Sequence, residues 1–238
     1  MIDLFLENID YEEERKRLVE RLVSEGYITS DHVKKAFLRV PREEFVPQRY
    51  KKYAYVDQPL PIGYGQTISA PHMVALMTEK LRAEVGNIVL EIGTGSGYQA
   101  AILAEIVAPS DEDEDLWGHV YTIERIPELA MNARRNLERT SYANRVTVII
   151  GDGTKGYKEK APYDRIIVTA AAPKIPDPLV EQLKPGGIMV IPVGNKWLQR
   201  LYIVRKDPEG RVFTEADTYC VFVPLVGEHG WKNEYREI

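Results

Sequence analysis

The spacing of hydrophobic and polar positions changes several times along the chain, and each change marks an element. Leu18, Val19, Leu22 and Val23 form an i, i+4 stripe within residues 11–25, which predicts a helix closed by Gly26. A second helix is expected after a cap at Thr29 or Ser30, with Val33, Ala36, Phe37 and Val40 on one side and Pro41 as its stop. Residues 41–47 suggest a short helical turn. Residues 56–70 carry two prolines and two glycines and read as a loop without secondary structure. So long a connection inside a compact domain is usually functional. Pro71 then opens a helix with Val74, Met77 and Leu81 on its apolar side.

From residue 88 the pattern becomes a repeat of strand and helix. Ile88, Val89, Leu90 and Ile92 are interrupted only by Glu91, as expected of a strand covered on both faces. Helix 97–107, strand 120–123 ending at Glu124, helix 127–139 and strand 146–150 follow. Strand 164–169, helix 178–183, a turn at 185–187 and strand 188–193 complete the repeat. Residues 198–205 and 212–223 are strand-like on either side of Lys206-Asp207-Pro208-Glu209-Gly210, which predicts an antiparallel hairpin. The fold class is therefore α/β: a doubly wound, mainly parallel, seven-stranded sheet ending in an antiparallel hairpin. Residues 1–55 read as a helical appendage with too little core to stand alone, and 56–238 as the main domain, the two forming one compact unit.

Composition narrows the class. The 238 residues are 44% hydrophobic and 28% charged, ordinary for a globular protein. The net charge is −5 and the pI about 5.6, which disfavours nucleic acid as the main partner. Arg15, Lys16 and Arg17 follow Glu12, Glu13 and Glu14, a mixed solvated helix face. No run of about 18 apolar residues predicts a membrane span. The N-terminus has no basic stretch before an apolar one, so a cytoplasmic location is expected. Cys220, the only cysteine, excludes an internal disulfide and reads as a buried small hydrophobe. Residues 109–115 read as a solvated acidic loop.

The candidate chemistry gathers at the strand ends. Gly93, Gly95 and Gly97 stand between the 88–92 strand and the next helix, and lacking Cβ atoms they allow a sharp turn and close approach of a ligand. The dinucleotide fingerprint G-x-G-x-x-G is not met, because its third glycine position is Tyr98. Glu91 lies two residues before the first glycine. A carboxylate there would repel a pyrophosphate and suit an ammonium or sulfonium ligand. A tight turn with no ligand is the simpler alternative, though three glycines weaken a turn unless something uses the space. Glu124 ends the following strand, where an acid that grips ribose hydroxyls is expected. Asp152 ends the third strand and could accept from an adenine amino group.

The glycine spacing with Glu91 resembles motif I of Rossmann-like, class I S-adenosylmethionine-dependent methyltransferases. Thr67-Ile68-Ser69-Ala70-Pro71-His72-Met73 resembles the signature that precedes motif I in the protein-L-isoaspartate O-methyltransferases. Val40-Pro41-Arg42, Gly151-Asp152-Gly153, Ala170-Ala171-Ala172-Pro173 and Phe222-Val223-Pro224-Leu225 are similar to that family too. The resemblance implies transfer of a methyl group from S-adenosyl-L-methionine to the free carboxylate of L-isoaspartyl residues in damaged proteins and peptides, giving an ester that closes to a succinimide. By the same resemblance Ser69 would aim the substrate carboxylate. Thr67, Ile68 and His72 would border the ligands. Glu91, Gly93, Thr94, Gly95 and Gly97 would hold the methionine part, Glu124 and Arg125 the ribose, and Asp152 with Gly153 the adenine. Ala171, Ala172, Val223 and Leu225 would line the peptide groove. Val74 stands where some relatives have a second histidine, and residues 226–231 differ from animal members. Without the family, Ser69 would read as the cap of the helix beginning at Pro71. No metal set, Ser-His-Asp set or reactive cysteine is evident, and a carboxylate nucleophile, ionised at neutral pH, needs none. The rivals are a methyltransferase of the same fold acting on a small molecule or RNA, a nicotinamide oxidoreductase, and a silent cofactor-binding protein.

Overall fold

The computed structural model describes residues 9–232. The N-terminal segment read for targeting and the closing Arg236-Glu237-Ile238 lie outside the described residues. Helix α1 (Tyr11–Ser24) is capped by Asp10, whose carboxylate accepts from the N–H groups of Glu12 and Glu13, and Gly26 follows it with φ +78. Helix α2 (Asp31–Arg39) starts after Ser30, but that hydroxyl donates to Glu79 rather than capping.

The expectation of a structureless loop at 56–70 is overturned. Strands β1 (Leu60–Gly63) and β2 (Gln66–Ile68) pair as a small antiparallel hairpin. Tyr64 (φ 53) and Gly65 (φ 69) take the two left-handed positions that a tight hairpin turn needs. The prolines do not forbid this, because a short edge strand has donors to spare. Helix α3 (Pro71–Leu81) follows at once.

The main sheet has the order β5-β4-β3-β6-β7-β8-β9. Its strands are β3 (Ile88–Ile92), β4 (His119–Glu124), β5 (Val146–Ile150), β6 (Tyr163–Val168), β7 (Leu183–Gly194), β8 (Gln199–Lys206) and β9 (Val212–Cys220). The first five are parallel; β8 runs antiparallel to β7, and β9 antiparallel to β8. Helices α4 (Tyr98–Val107), α5 (Pro127–Arg139) and α6 (Asp177–Gln182) connect them. The expected turn at 185–187 is instead an irregularity within β7. The register slips between the pairs Tyr163↔Leu183 and Arg165↔Ile188, and Gly186 takes φ +80 there.

Two apolar layers cover the sheet. On one face Val89, Val120, Val146 and Val148 pack with α3, α4, α5 and the N-terminal helices in a single cluster that includes Leu18, Leu22 and Phe37. On the other, Leu90, Ile92, Ile166 and Val168 pack with Leu179 of α6. The acidic loop is exposed yet anchored, since Asp111 takes both guanidinium nitrogens of Arg39 at 2.7 and 2.8 Å. Cys220 is buried, as expected. Among the described residues no helix is long and apolar enough to cross a membrane, and no metal-binding cluster occurs.

Candidate active site

Strand β3 has β4 on one side and β6 on the other, so connections leave it in opposite directions. That is the switch point where a doubly wound sheet opens a crevice beyond its strand ends. The turn after β3 is built by Gly93 (φ 98), Gly95 (φ 55) and Gly97 (φ 89). A Cβ on Gly93 would lie 2.5 Å from the hydroxyl of Thr169, so β6 and the turn touch backbone to side chain.

Three openings meet here, and Thr67 and Thr169 border all of them. The cleft over the strand ends, about 530 Å³ including open solvent, runs past Gly93, Gly95, Glu124, Arg125 and Gly153 to the 223–226 segment. An inner cavity beneath the glycine turn is lined by Ile68, Ser69, Glu91, Thr94 and the start of α4. The outer groove, about 1040 Å³ on the same measure, lies between Ser69, His72 and Met73 on one side and residues 219–223 on the other. Ser69 is thus common to the inner cavity and the outer groove. Its hydroxyl has no hydrogen-bond partner among the described residues. The helix cap is Ala70, so Ser69 is not spent on capping α3.

Glu91 is fully buried, and neither carboxylate oxygen has a hydrogen-bond partner. Burial pushes its pKa up to about 8. The nearby Thr122 hydroxyl opposes this weakly, being engaged with Thr94 at 2.7 Å, and the charge of Glu124 adds to it. An orphaned buried carboxylate is costly and calls for a cationic partner. Glu124 is held differently: its oxygens accept from the N–H groups of Gly95 and Ile126, each at 3.0 Å, which fixes the carboxylate and leaves lone pairs free for a diol.

Other sites predicted from the sequence take several positions. Gly153 borders the cleft, and a Cβ on it would meet Ile92 at 2.5 Å. The Asp152 carboxylate already accepts from the N–H and hydroxyl of Thr154 and from the N–H of Glu228, which outweigh desolvation and hold its pKa low. Gly97 faces away from the openings and lets α4 approach Ala133 and Leu137 of α5. His72 borders the outer groove rather than the cleft, its ring nitrogen 3.0 Å from both Asp57 oxygens. Ala171 and Ala172 are buried and line none of the three openings. The N–H of Ala171 donates to Val223, while its carbonyl accepts from Leu225 and from the Trp231 indole. Ala170, Val223 and Leu225 line the cleft itself.

Two residues, both in segments singled out from the sequence, make contacts that the sequence alone did not assign them. Thr169 donates to the carbonyls of Gly93 (2.7 Å) and Ile92 (3.0 Å); its place at a strand end was the available signal. Arg42 donates to the carbonyl of Ser69, and only its place in Val40-Pro41-Arg42 marked it.

Comparison with known proteins agrees with this architecture. The family model described as protein-L-isoaspartate(D-aspartate) O-methyltransferase matches residues 13–230. The protein-L-isoaspartate O-methyltransferase of Hyperthermus butylicus is 67% identical over 226 residues, covering 95% of this chain and 93% of that one. That of Staphylothermus marinus is 63% identical, covering 94% and 98%. Among solved structures, a Plasmodium falciparum protein-L-isoaspartate O-methyltransferase in complex with S-adenosyl-L-homocysteine superposes with a TM-score of 0.79 at 27% identity, covering 89% of this chain and 98% of that one. With the strand ends, glycine turn and Ser69 segment in place, the match over nearly its whole length shows that the chain belongs to the protein-L-isoaspartate (D-aspartate) O-methyltransferase family.

Proposed function

We propose that this protein transfers the methyl group of S-adenosyl-L-methionine to the free carboxylate of L-isoaspartyl residues in damaged proteins and peptides. The observation that carries the reading is Glu91: a wholly buried carboxylate without a partner, lining a cavity that also reaches Ser69. A cationic methionine end satisfies it; a phosphate chain would not. The residues present fit the cofactor. Glu91 and the Gly93–Gly95 turn would hold its methionine part, Glu124 its ribose hydroxyls with Arg125 alongside, and the Asp152-Gly153 strand end its adenine. When bound, S-adenosyl-L-methionine supplies a methyl carbon on a positive sulfur, and as a carboxylate oxygen bonds to that carbon the C–S electron pair stays on sulfur.

The chain's own part is placement and exclusion of water. Thr67 and Thr169 divide the cofactor cleft from the outer groove, so the two reactants enter from different sides. The unengaged Ser69 hydroxyl donates to the isoaspartyl carboxylate and turns one oxygen towards the cleft. No general base is needed, because the nucleophile is already ionised and no proton moves. His72 with Asp57, and Val223, border the peptide, while Leu225 lies on the cofactor side. Nucleic acid has no role in this reading, which the net charge of −5 supports. A single buried cysteine fits action in the cytoplasm, where thiols stay reduced. Incubating the protein and S-adenosyl-L-methionine with an isoaspartyl peptide tests the reading. The aspartyl twin should accumulate by way of the succinimide, and a peptide that stays unchanged contradicts it.

A further inference from the structure

Arg42 is 0% exposed, and among the described residues it forms no ion pair. Its neighbour Glu43 is turned instead towards the Tyr55 hydroxyl and Arg15. The guanidinium has other partners. Nε donates to the carbonyl of Ala54 at 2.8 Å, Nη2 donates to the carbonyl of Ser69 at 2.7 Å, and the group lies 4.9 Å from the centroid of the Tyr98 ring. Nη1 is buried with no partner. Burying a charge without a counter-charge costs several kcal/mol before any bond is made. An apolar residue of similar volume would fill the same space without that cost, so packing alone does not account for an arginine.

What the guanidinium joins gives the reason. Ala54 and Ser69 bracket the segment that carries the β1–β2 hairpin, and Tyr98 is the first residue of α4, directly after the glycine turn, and lines the inner cavity. A rigid planar fork therefore spans both ends of that segment and rests against the residue that follows the turn. We propose that Arg42 is a positioning residue that holds the Ser69 segment over the cleft during methyl transfer. This rests on the function proposed above. Arg42 touches neither reactant; it acts through the main chain of Ser69.

The test compares Arg42→Met, similar in length but without donors, with Arg42→Lys, which can reach one carbonyl at a time. Each is measured alone and combined with Ser69→Ala. Binding of S-adenosyl-L-homocysteine by calorimetry shows that each variant is folded. The expected result is a loss of about 10- to 100-fold in kcat/KM for an isoaspartyl peptide in Arg42→Met, with a smaller loss in Arg42→Lys and ligand affinity within about threefold of the parent. Each double variant should be no more than about threefold slower than Ser69→Ala alone, because Arg42 acts only through the group that Ser69→Ala removes. Losses that multiply, or parental kinetics in a folded Arg42→Met, overturn the proposal. If Arg42→Met does not bind the ligand, the Arg42→Lys pair decides by the same two criteria. A parent protein inactive on isoaspartyl peptides would instead sink the function itself, whatever the variants do.

Discussion

The hydroxyl of Thr169 donates to the carbonyl of Gly93 at 2.7 Å, and a Cβ on Gly93 would stand 2.5 Å from that same hydroxyl. The end of β6 thus locks the first glycine of the turn from the side. Gly93 also holds φ +98, which costs any other residue about 1–3 kcal/mol. Gly93→Ala should therefore displace the turn and weaken S-adenosyl-L-homocysteine binding by about tenfold or more, since each 1.4 kcal/mol is a factor of ten. Calorimetry on folded protein checks this, and parental affinity would contradict it.

Ser69→Ala separates catalysis from stability. Ala70 caps α3 and the Ser69 hydroxyl is unengaged, so the melting temperature should stay within about a degree or two of the parent. A lost hydrogen bond to a charged substrate is worth about 1.5–3 kcal/mol, or roughly 10- to 100-fold in kcat/KM. A melting drop with intact turnover would return Ser69 to a structural role.

Glu91 makes cofactor binding depend on pH. Burial raises its carboxyl from 4.5 to about 8 in the ligand-free fold, so between those values the folded protein holds a proton that the unfolded chain has released. The resulting stability is fully present below the unfolded value and is lost as pH rises through about 8, at up to about 1.4 kcal/mol per unit. The ammonium group, which S-adenosyl-L-homocysteine shares with S-adenosyl-L-methionine, needs the ionised form. Affinity for S-adenosyl-L-homocysteine should therefore rise with pH up to about 8, with a proton released on binding. Calorimetry in buffers of different ionisation enthalpy measures that proton. Glu91→Gln should bind more weakly, release no proton and lose the slope in stability.

Glu105 supports the fold at a distance from the chemistry. It accepts from Arg39 at 2.8 Å, from Ser110, from Tyr142 and from the buried Arg145 at 3.2 Å. Burial pushes its carboxyl up, but Ser110, Arg39 and Arg145 outweigh it and hold the pKa low. Glu105→Ala should cost about 3–5 kcal/mol, because it strands Arg145 without its counter-charge. Denaturant unfolding measures that loss, and S-adenosyl-L-homocysteine affinity in the folded variant should not move.

Much of this was legible in the sequence because it depended on local rules. The βα repeat followed from apolar runs, and the glycine turn and the strand-end acids Glu91 and Glu124 followed from their places in it. What was missed depended on partners far along the chain. The β1–β2 hairpin was hidden because Tyr64, not glycine, takes the first left-handed position of its turn. Asp152 looked free because the backbone of Glu228, 76 residues away, claims one of its oxygens. Gly97 looked like part of the ligand site, yet its missing side chain makes room for α5. Arg42 carries no local signal of burial; only the closed fold shows which carbonyls it meets.

The most direct test offers the protein two peptides that differ only in whether one residue is L-isoaspartyl or L-aspartyl, with methyl-labelled S-adenosyl-L-methionine. Base-labile label should enter the isoaspartyl peptide and not its twin. Equal labelling of both, or of neither, would contradict the account.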